Sequence, residues 1–471
     1  MTISRRKGDP QPGFRWGLFT LRIPFIHSRA TLSEFLQGLS ISAATGLALV
    51  PLLTSAFGLS FEEAVTMSML HSLLLSSAWM FFGEPYCPGW ITPALPFVIA
   101  FVLSGDFNTP TERFQVMTAL SLDLAAILLL LGATGLGTHL MRWIPDLLKG
   151  GIILGAALAA FLRVFDVNEG SNVLFTQPYA TTAALALSLI LAFSLPLQRL
   201  QKRHPWLAKI TALGLLPGFI LAGIIGPLAG EFSYSIEWGF LNPPLASLWQ
   251  KVSPLSIGWP SMDLYLQCLP MALIAYILFF GDLVTGDEIL KEASTHRDDE
   301  QLVLNPTRTH LSAGIRNAVM AIVAPFFPTQ GILWAGVQVV VVQRWRQGRA
   351  TMDSLFDGIS SYYGFNIPII FLFLPLLTLL KPLMGIALLM TLLLTGFACA
   401  NVALSKARTS IDYGVMLLTA ACLNVFNPWQ GLLLGIVATV LLVGVDRKTV
   451  VLELDGDECL SNGDTPKLNN S

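Results

Sequence analysis

The chain has 471 residues, of which 54% are hydrophobic and only 12% charged, and its mean hydropathy is +0.65. A soluble globular chain carries about twice that charged fraction, so the composition excludes the soluble class and requires a membrane protein. The formal net charge of −2 leaves no basic surface for nucleic acid.

In chain order, residues 1–33 read as a cytoplasmic N-terminal segment. Ser4-Arg5-Arg6-Lys7 has the look of a twin-arginine start, but no apolar run follows it directly, so it is read as a cytoplasmic positive cluster. Gly13 to Ile26 carries Phe14, Trp16, Phe19 and Phe25 between arginines, the composition of an interfacial segment. Crossing the hydrocarbon core needs about 20 apolar residues. Fourteen segments are expected to do so. The first repeat, 34–230, holds 34–57, 60–82, 86–104, 114–141, 145–163, 178–197 and 207–229. An extracytoplasmic loop, 231–262, follows. The second repeat, 263–445, holds 263–285, 311–324, 326–345, 360–380, 382–404, 410–426 and 428–445. Residues 446–471 are polar and read as a disordered cytoplasmic tail.

Loop charges test this division. Arg142, Lys149, Arg199, Lys202, Arg203, Lys209, Lys291, Arg297, Arg308, Arg344, Arg346, Arg349, Lys406 and Arg408 fall in alternate loops, whereas the 230–262 loop has Lys251 alone. The asymmetry expects both termini in the cytoplasm of an inner-membrane, multi-pass protein.

Two stretches break the helical pattern. Glu84 to Phe101, EPYCPGWITPALPFVIAF, is too rich in proline to be one helix, and becomes apolar helix only after Thr92-Pro93. About half a chain later, PFFPTQGILWAGVQVVVV from Pro325 repeats the sequence of events. Non-helical backbone at membrane depth survives only where protein or a water-filled cavity covers it. Paired broken segments in two halves point to a transporter site. The repeat extends further: Phe35-Leu36-Gln37-Gly38-Leu39 echoes Tyr265-Leu266-Gln267-Cys268-Leu269, and Pro145 with Gly150, Gly151 and Gly155 echoes Pro382 with Gly385. The expected fold is therefore an all-α integral membrane protein of 14 segments in two inverted seven-segment repeats, with half-helix, half-extended spans 3 and 10.

Ala48 to Thr54, ALVPLLT, with Gln37 earlier in the same span, resembles the first span of the uracil and xanthine permeases, here through Gln37 and Pro51. The broken third and tenth spans and the seven-plus-seven repeat resemble the same superfamily, which includes the sulphate permeases. The resemblance covers roughly residues 34 to 445. It implies a core domain of spans 1–4 and 8–11, a gate domain of spans 5–7 and 12–14, and a substrate between the broken spans. It also implies an acidic residue in span 8, for which Asp282 is the candidate. Gly38 stands where the family often has histidine, and Pro328-Thr329-Gln330-Gly331 replaces the nucleobase signature of span 10.

Two helices starting near the bilayer centre would aim free N–H groups and positive dipole ends at one point. Trp90, Ile91 and Thr92, and Thr329, Gln330 and Gly331, flank those expected starts. Tyr86, Trp90, Phe326 and Phe327 are the aromatic candidates for clamping a planar ligand. Substrate binding is therefore assigned to Tyr86, Trp90, Thr92, Phe327, Thr329, Gln330 and Gly331, and proton coupling to Asp282 and Glu84. Asp123 and His71 are second-rank titratable groups. The five cysteines have no CxxC pair, no metal-ligand spacing is present, and neither HExxH nor GxSxG occurs. The expectation is a secondary transporter, not an enzyme, without cofactor or metal. A nucleobase-like solute carried with H+ (or Na+) is the first reading. A small anion such as sulphate, bicarbonate or a carboxylate is the alternative, and a membrane enzyme or sensor the third. Partners are the small solute, the coupling ion and the lipid bilayer; a homodimer is compatible with this class, and nucleic acid is not.

Overall fold

The computed structural model describes residues 5–444, apart from 138, 140–143, 167–171, 202 and 212–214. The expected disordered tail, Cys459, Arg142 and Lys202 lie outside the described residues. The expected interfacial segment is a small hairpin. Strand β1 (Phe14–Trp16) pairs antiparallel with β2 (Phe19–Leu21). Gly17 in its turn has φ +63°, a conformation glycine adopts without a Cβ penalty. A buried charge knot ties the N-terminal segment down. Arg5 Nη2 meets Asp299 Oδ2 at 2.9 Å and donates to the Asp353 carbonyl, while Arg297 Nη2 donates to the same Asp299 oxygen at 2.8 Å and its Nε to Oδ1.

The first span is two helices, α1 (Leu32–Gly46) and α2 (Val50–Ser55), rather than one. Pro51 lies in the first turn of α2, where its missing N–H costs nothing, and there the α1 ladder has already ended. Helix α3 (Phe61–Met80) starts on a capping box in which Ser60 and Glu63 satisfy each other's backbone N–H. An extended stretch follows, then a tight turn, Thr92–Ala94, running into α4 (Leu95–Val102). Helix α5 (Pro110–Thr134) is capped by Thr109 and Glu112 and ends at left-handed Gly135. Helices α6 (Asp146–Val164), α7 (Pro178–Phe193) and α8 (Leu216–Ala229) complete the first half. The long 231–262 loop contains α9 (Leu245–Val252), pinned by Lys251 Nζ at 2.7 Å from Glu63.

The second half opens with α10 (Met262–Ser294), 33 residues long. It runs well past the expected end at 285, with half-buried Asp287 and exposed Glu288 and Lys291 continuing the helix. Helix α11 (Pro306–Val323) precedes an extended stretch and α12 (Ala335–Arg346). Next are α13 (Leu355–Tyr363), α14 (Ile367–Leu372), α15 (Leu374–Leu380), α16 (Met384–Leu404), α17 (Ser410–Val425) and α18 (Pro428–Leu442). The expected span 360–380 is corrected. Its helix begins at Leu355 on a Ser354–Asp357 capping box, breaks around Asn366, and residues 374–380 lead into α16 instead. The polar Asp353, Ser354 and Asp357 look like a loop in the sequence but form the cap.

Among the described residues, four helical stretches are long and apolar enough to cross a membrane, by length and composition: Pro110–Thr134, Asp146–Val164, Met262–Ser294 and Leu374–Leu404. Shorter apolar helices accompany them, and the chain is a multi-pass membrane protein. The helices pack in two groups. In one, α5 lies on α10 and α11, and α1 on α13; in the other, α6 lies on α16 and α17, and α7 on α8. Close approach in the second group depends on Gly150 and Gly151, where a Cβ would come within 2.7 Å of Met416 and Thr419 side chains. Helix α4 touches α6, so the first broken segment lies at the seam.

Candidate functional site

The two extended stretches cross and hydrogen-bond to each other. Ile91 N–H donates to the Pro328 carbonyl at 2.9 Å, and Trp334 N–H to the Cys87 carbonyl at 2.7 Å. Cys87 N–H is in turn accepted by Gln338 Oε1 at 2.5 Å. The pairing runs antiparallel, and it satisfies backbone groups that would otherwise be orphaned at membrane depth. Two glycines allow the contact. A Cβ on Gly331 would lie 2.6 Å from the Gly89 carbonyl oxygen, and one on Gly89 would lie 2.8 Å from that of Leu333.

Each stretch ends in a helix start, and both starts line one cavity of about 1400 Å³ between the two helix groups. Thr92 and Pro93 form one start. The other is Ala335–Val337, and not Thr329–Gly331 as the sequence suggests. The first N–H of α12 to find a carbonyl within the turn is that of Gln338, on Trp334 at 2.9 Å. The amides of Ala335, Gly336 and Val337 are therefore the orphan donors of that helix end. The first start offers only Thr92, since Pro93 has no N–H. Trp90 and Trp334 stand on the wall beside the two starts. Ser42, Ser76, Tyr362 and Tyr363 also line the cavity; their hydroxyl oxygens are buried behind its surface and have no partner among the described residues. The opposite wall comes from α6 and α16, with Ile153, Thr391, Leu394 and Thr395. Asp146, Lys149, Glu288, Lys291 and Lys406 supply charged groups to the lining.

Of the expected binding residues, Trp90 and Thr92 line this cavity; Tyr86, Phe327, Thr329, Gln330 and Gly331 do not. Tyr86 is buried and donates its hydroxyl to Asp287. Phe327 is fully enclosed, and its neighbour Phe326 packs on Phe57. Thr329 donates to the Phe326 carbonyl at 2.8 Å. Gln330 reaches backwards, donating to the His71 carbonyl at 3.2 Å and accepting from Arg316. These residues brace the crossing because the chain stays extended until Trp334, which turns their side chains away from the solute space.

Asp282 of α10 lines the cavity, across from the α16 wall. Glu84 does not. It is buried in an ion pair with Arg308 at 3.1 Å and accepts from Thr309 at 2.8 Å, so its lone pairs are occupied structurally. Gln37 and Pro51 are also away from the cavity; Gln37 donates to Ser33 within α1 at 3.2 Å. His71 is enclosed, with Nε2 2.8 Å from the Ala324 carbonyl, and Asp123 lies on α5 off the cavity. The wall hydroxyls escape a sequence reading because serine and tyrosine in a span carry no formal charge. The i, i+4 spacings of Ser72 with Ser76 and Thr391 with Thr395 were the available signal.

No protein-family model and no curated protein matches the chain. Solved structures do. The transmembrane domain of the cyanobacterial bicarbonate transporter BicA matches at 14% identity, over 86% of this chain and 97% of that one, with TM-score 0.50. Murine Solute Carrier 26 family member A9, an anion transporter in its inward-facing state, matches at 15% identity over 88% and 68%, with TM-score 0.52. A further structure of SLC26A9 matches at 16% identity over 87% and 64%, with TM-score 0.50. The chain shares their fold. The superfamily resemblance read from the broken spans therefore holds at the level of fold, over most of the chain.

Proposed function

We propose that this chain is a secondary transporter of a small anion. The observation that carries the reading is the donor character of the cavity. Free amides of Thr92 and Ala335–Val337 border the space, and helix N-termini favour negative charge. The fold shared with a bicarbonate transporter and an anion transporter supports the same choice. The nucleobase reading loses Tyr86, Phe327 and Gln330, keeps Trp90 and gains Trp334, two rings that suit a planar ligand.

In this reading Trp90 and Thr92 contact the anion, and Asp282 couples it to protons. An ionised Asp282 repels an incoming anion, whereas its protonation removes the repulsion, so anion and H+ enter together. The helix group containing the crossing moves against the group containing α6 and α16, exposing the cavity to alternate sides. Lys149, Lys291 and Lys406 on the lining support a cytoplasmic placement for their part of the cavity, with both termini on the same side. The test is uptake into proteoliposomes of sulphate, bicarbonate, uracil and xanthine, each with and without a pH gradient. Saturable uptake of an anion supports the reading; uptake of uracil or xanthine alone overturns it.

A further inference from the structure

Arg316 lies near the middle of α11, with 1% of its surface exposed. Nη2 donates to the Gly331 carbonyl at 2.9 Å and Nη1 to Gln330 Oε1 at 3.3 Å, while Nε has no partner among the described residues. Both acceptors are neutral. The carboxylate whose field it feels is Glu84, and that group is already held by Arg308 and Thr309. Glu84 and Arg308 cancel, and the neighbouring buried Arg22 shares the field of Glu84 and Glu300, so Arg316 is left with no carboxylate of its own. An unpaired guanidinium inside a span is costly, and such charges occur where function uses them.

The layers between this charge and the cavity are visible. Gly331 takes the guanidinium on its carbonyl and touches Gly89 and Ile91 on its other face. Gly89 and Trp90 line the cavity. We propose that Arg316 is the fixed counter-charge of the transported anion, acting from behind the crossing and setting the charge selectivity of the cavity. This rests on the anion reading and goes beyond it: Arg316 touches no solute, and is a selectivity residue acting through space.

The size of the effect follows from distance. Two backbone layers of about 4.8 Å each put the charge about 10 Å from a bound anion. At an effective dielectric of about 20, that separation favours a monovalent anion about tenfold. The factor compounds with charge, to about a hundredfold for a divalent anion.

The test is titration calorimetry of the purified full-length protein with bicarbonate and with sulphate, at about pH 8, for the native chain, Arg316→Lys, Arg316→Gln and Arg316→Met. The neutral variants are expected to lose about tenfold in bicarbonate affinity and about a hundredfold in sulphate affinity, with Arg316→Lys within about threefold of native. A merely structural role lowers both affinities by the same factor, and that result, or no change at all, overturns the inference while leaving anion binding intact. Absence of binding of either anion by the native chain overturns the anion reading and the inference with it. Arg316→Gln keeps a donor for the Gly331 carbonyl, so the comparison survives if Arg316→Met does not fold.

Discussion

Ile91 donates its backbone N–H to the carbonyl of Pro328, 2.9 Å away and half a chain distant in sequence. This bond, with that between Trp334 and Cys87, converts two proline-broken stretches into one crossing. Each half alone would leave unpaired backbone in the membrane interior, at a cost of several kcal/mol per group. The site therefore exists only when both halves are folded together.

Substituting Gly331 tests that crossing. Gly331→Ala would push a methyl group to 2.6 Å from the Gly89 carbonyl oxygen. Rigid backbone on both sides makes this overpacking, worth about 1–3 kcal/mol. The expected outcome is a lower thermal midpoint in detergent and loss of uptake, whereas Gly336→Ala, with only the far end of Trp334 within reach, leaves the midpoint unchanged.

How much of this was legible in the sequence differs between the halves. Thr92-Pro93 announces its helix start, because an N-cap residue followed by proline is a local signal. Ala335 does not. Pro328-Thr329 looks like an equally good start, but pairing of Trp334 with Cys87 holds the chain extended for several residues more. That pairing is long-range, and no local pattern encodes it. The same displacement explains why Gln330 and Gly331 brace the site instead of lining it. Helix α10 was under-read for the opposite reason: charged residues after Asp282 suggest a loop, yet they continue the helix. The α6 and α16 walls left almost no trace, since apolar residues facing a cavity and facing lipid look alike.

The buried pair of Glu84 and Arg308 predicts a stability effect. Its carboxylate and guanidinium are 3.1 Å apart, with side chains 2% and 6% exposed. Glu84→Gln leaves a second uncompensated guanidinium in the interior, and is expected to destabilise by about 3–5 kcal/mol. The double variant Glu84→Gln, Arg308→Met should recover most of that loss. Denaturation midpoints of the two variants in detergent check it; equal losses would mean that the pair is not coupled.

Asp282 is the proposed coupling group, so Asp282→Asn separates binding from accumulation. The variant is expected to exchange anion across the membrane at a rate within about threefold of native, yet fail to accumulate it under an imposed pH gradient. Undiminished gradient-driven accumulation removes Asp282 from the mechanism.

The N-terminal strap carries its own pH dependence. His27 Nδ1 accepts the Ile23 N–H at 3.0 Å. Burial holds the His27 pKa below its ordinary value of 6.5. The unfolded segment then binds more protons than the folded one, so stability is complete above about pH 6.5 and falls as the pH drops. Hydrogen exchange of residues 14–27, corrected for intrinsic rates, should quicken between about pH 7 and pH 5. The step should vanish in His27→Gln; its persistence would assign the dependence to another group.

The central claim is that the cavity between the two helix starts carries an anion, and transport itself tests it most directly. Full-length protein in proteoliposomes should take up radiolabelled sulphate or bicarbonate saturably, each anion competing with the other and uracil competing with neither. Saturable uracil uptake that neither anion inhibits would contradict the account.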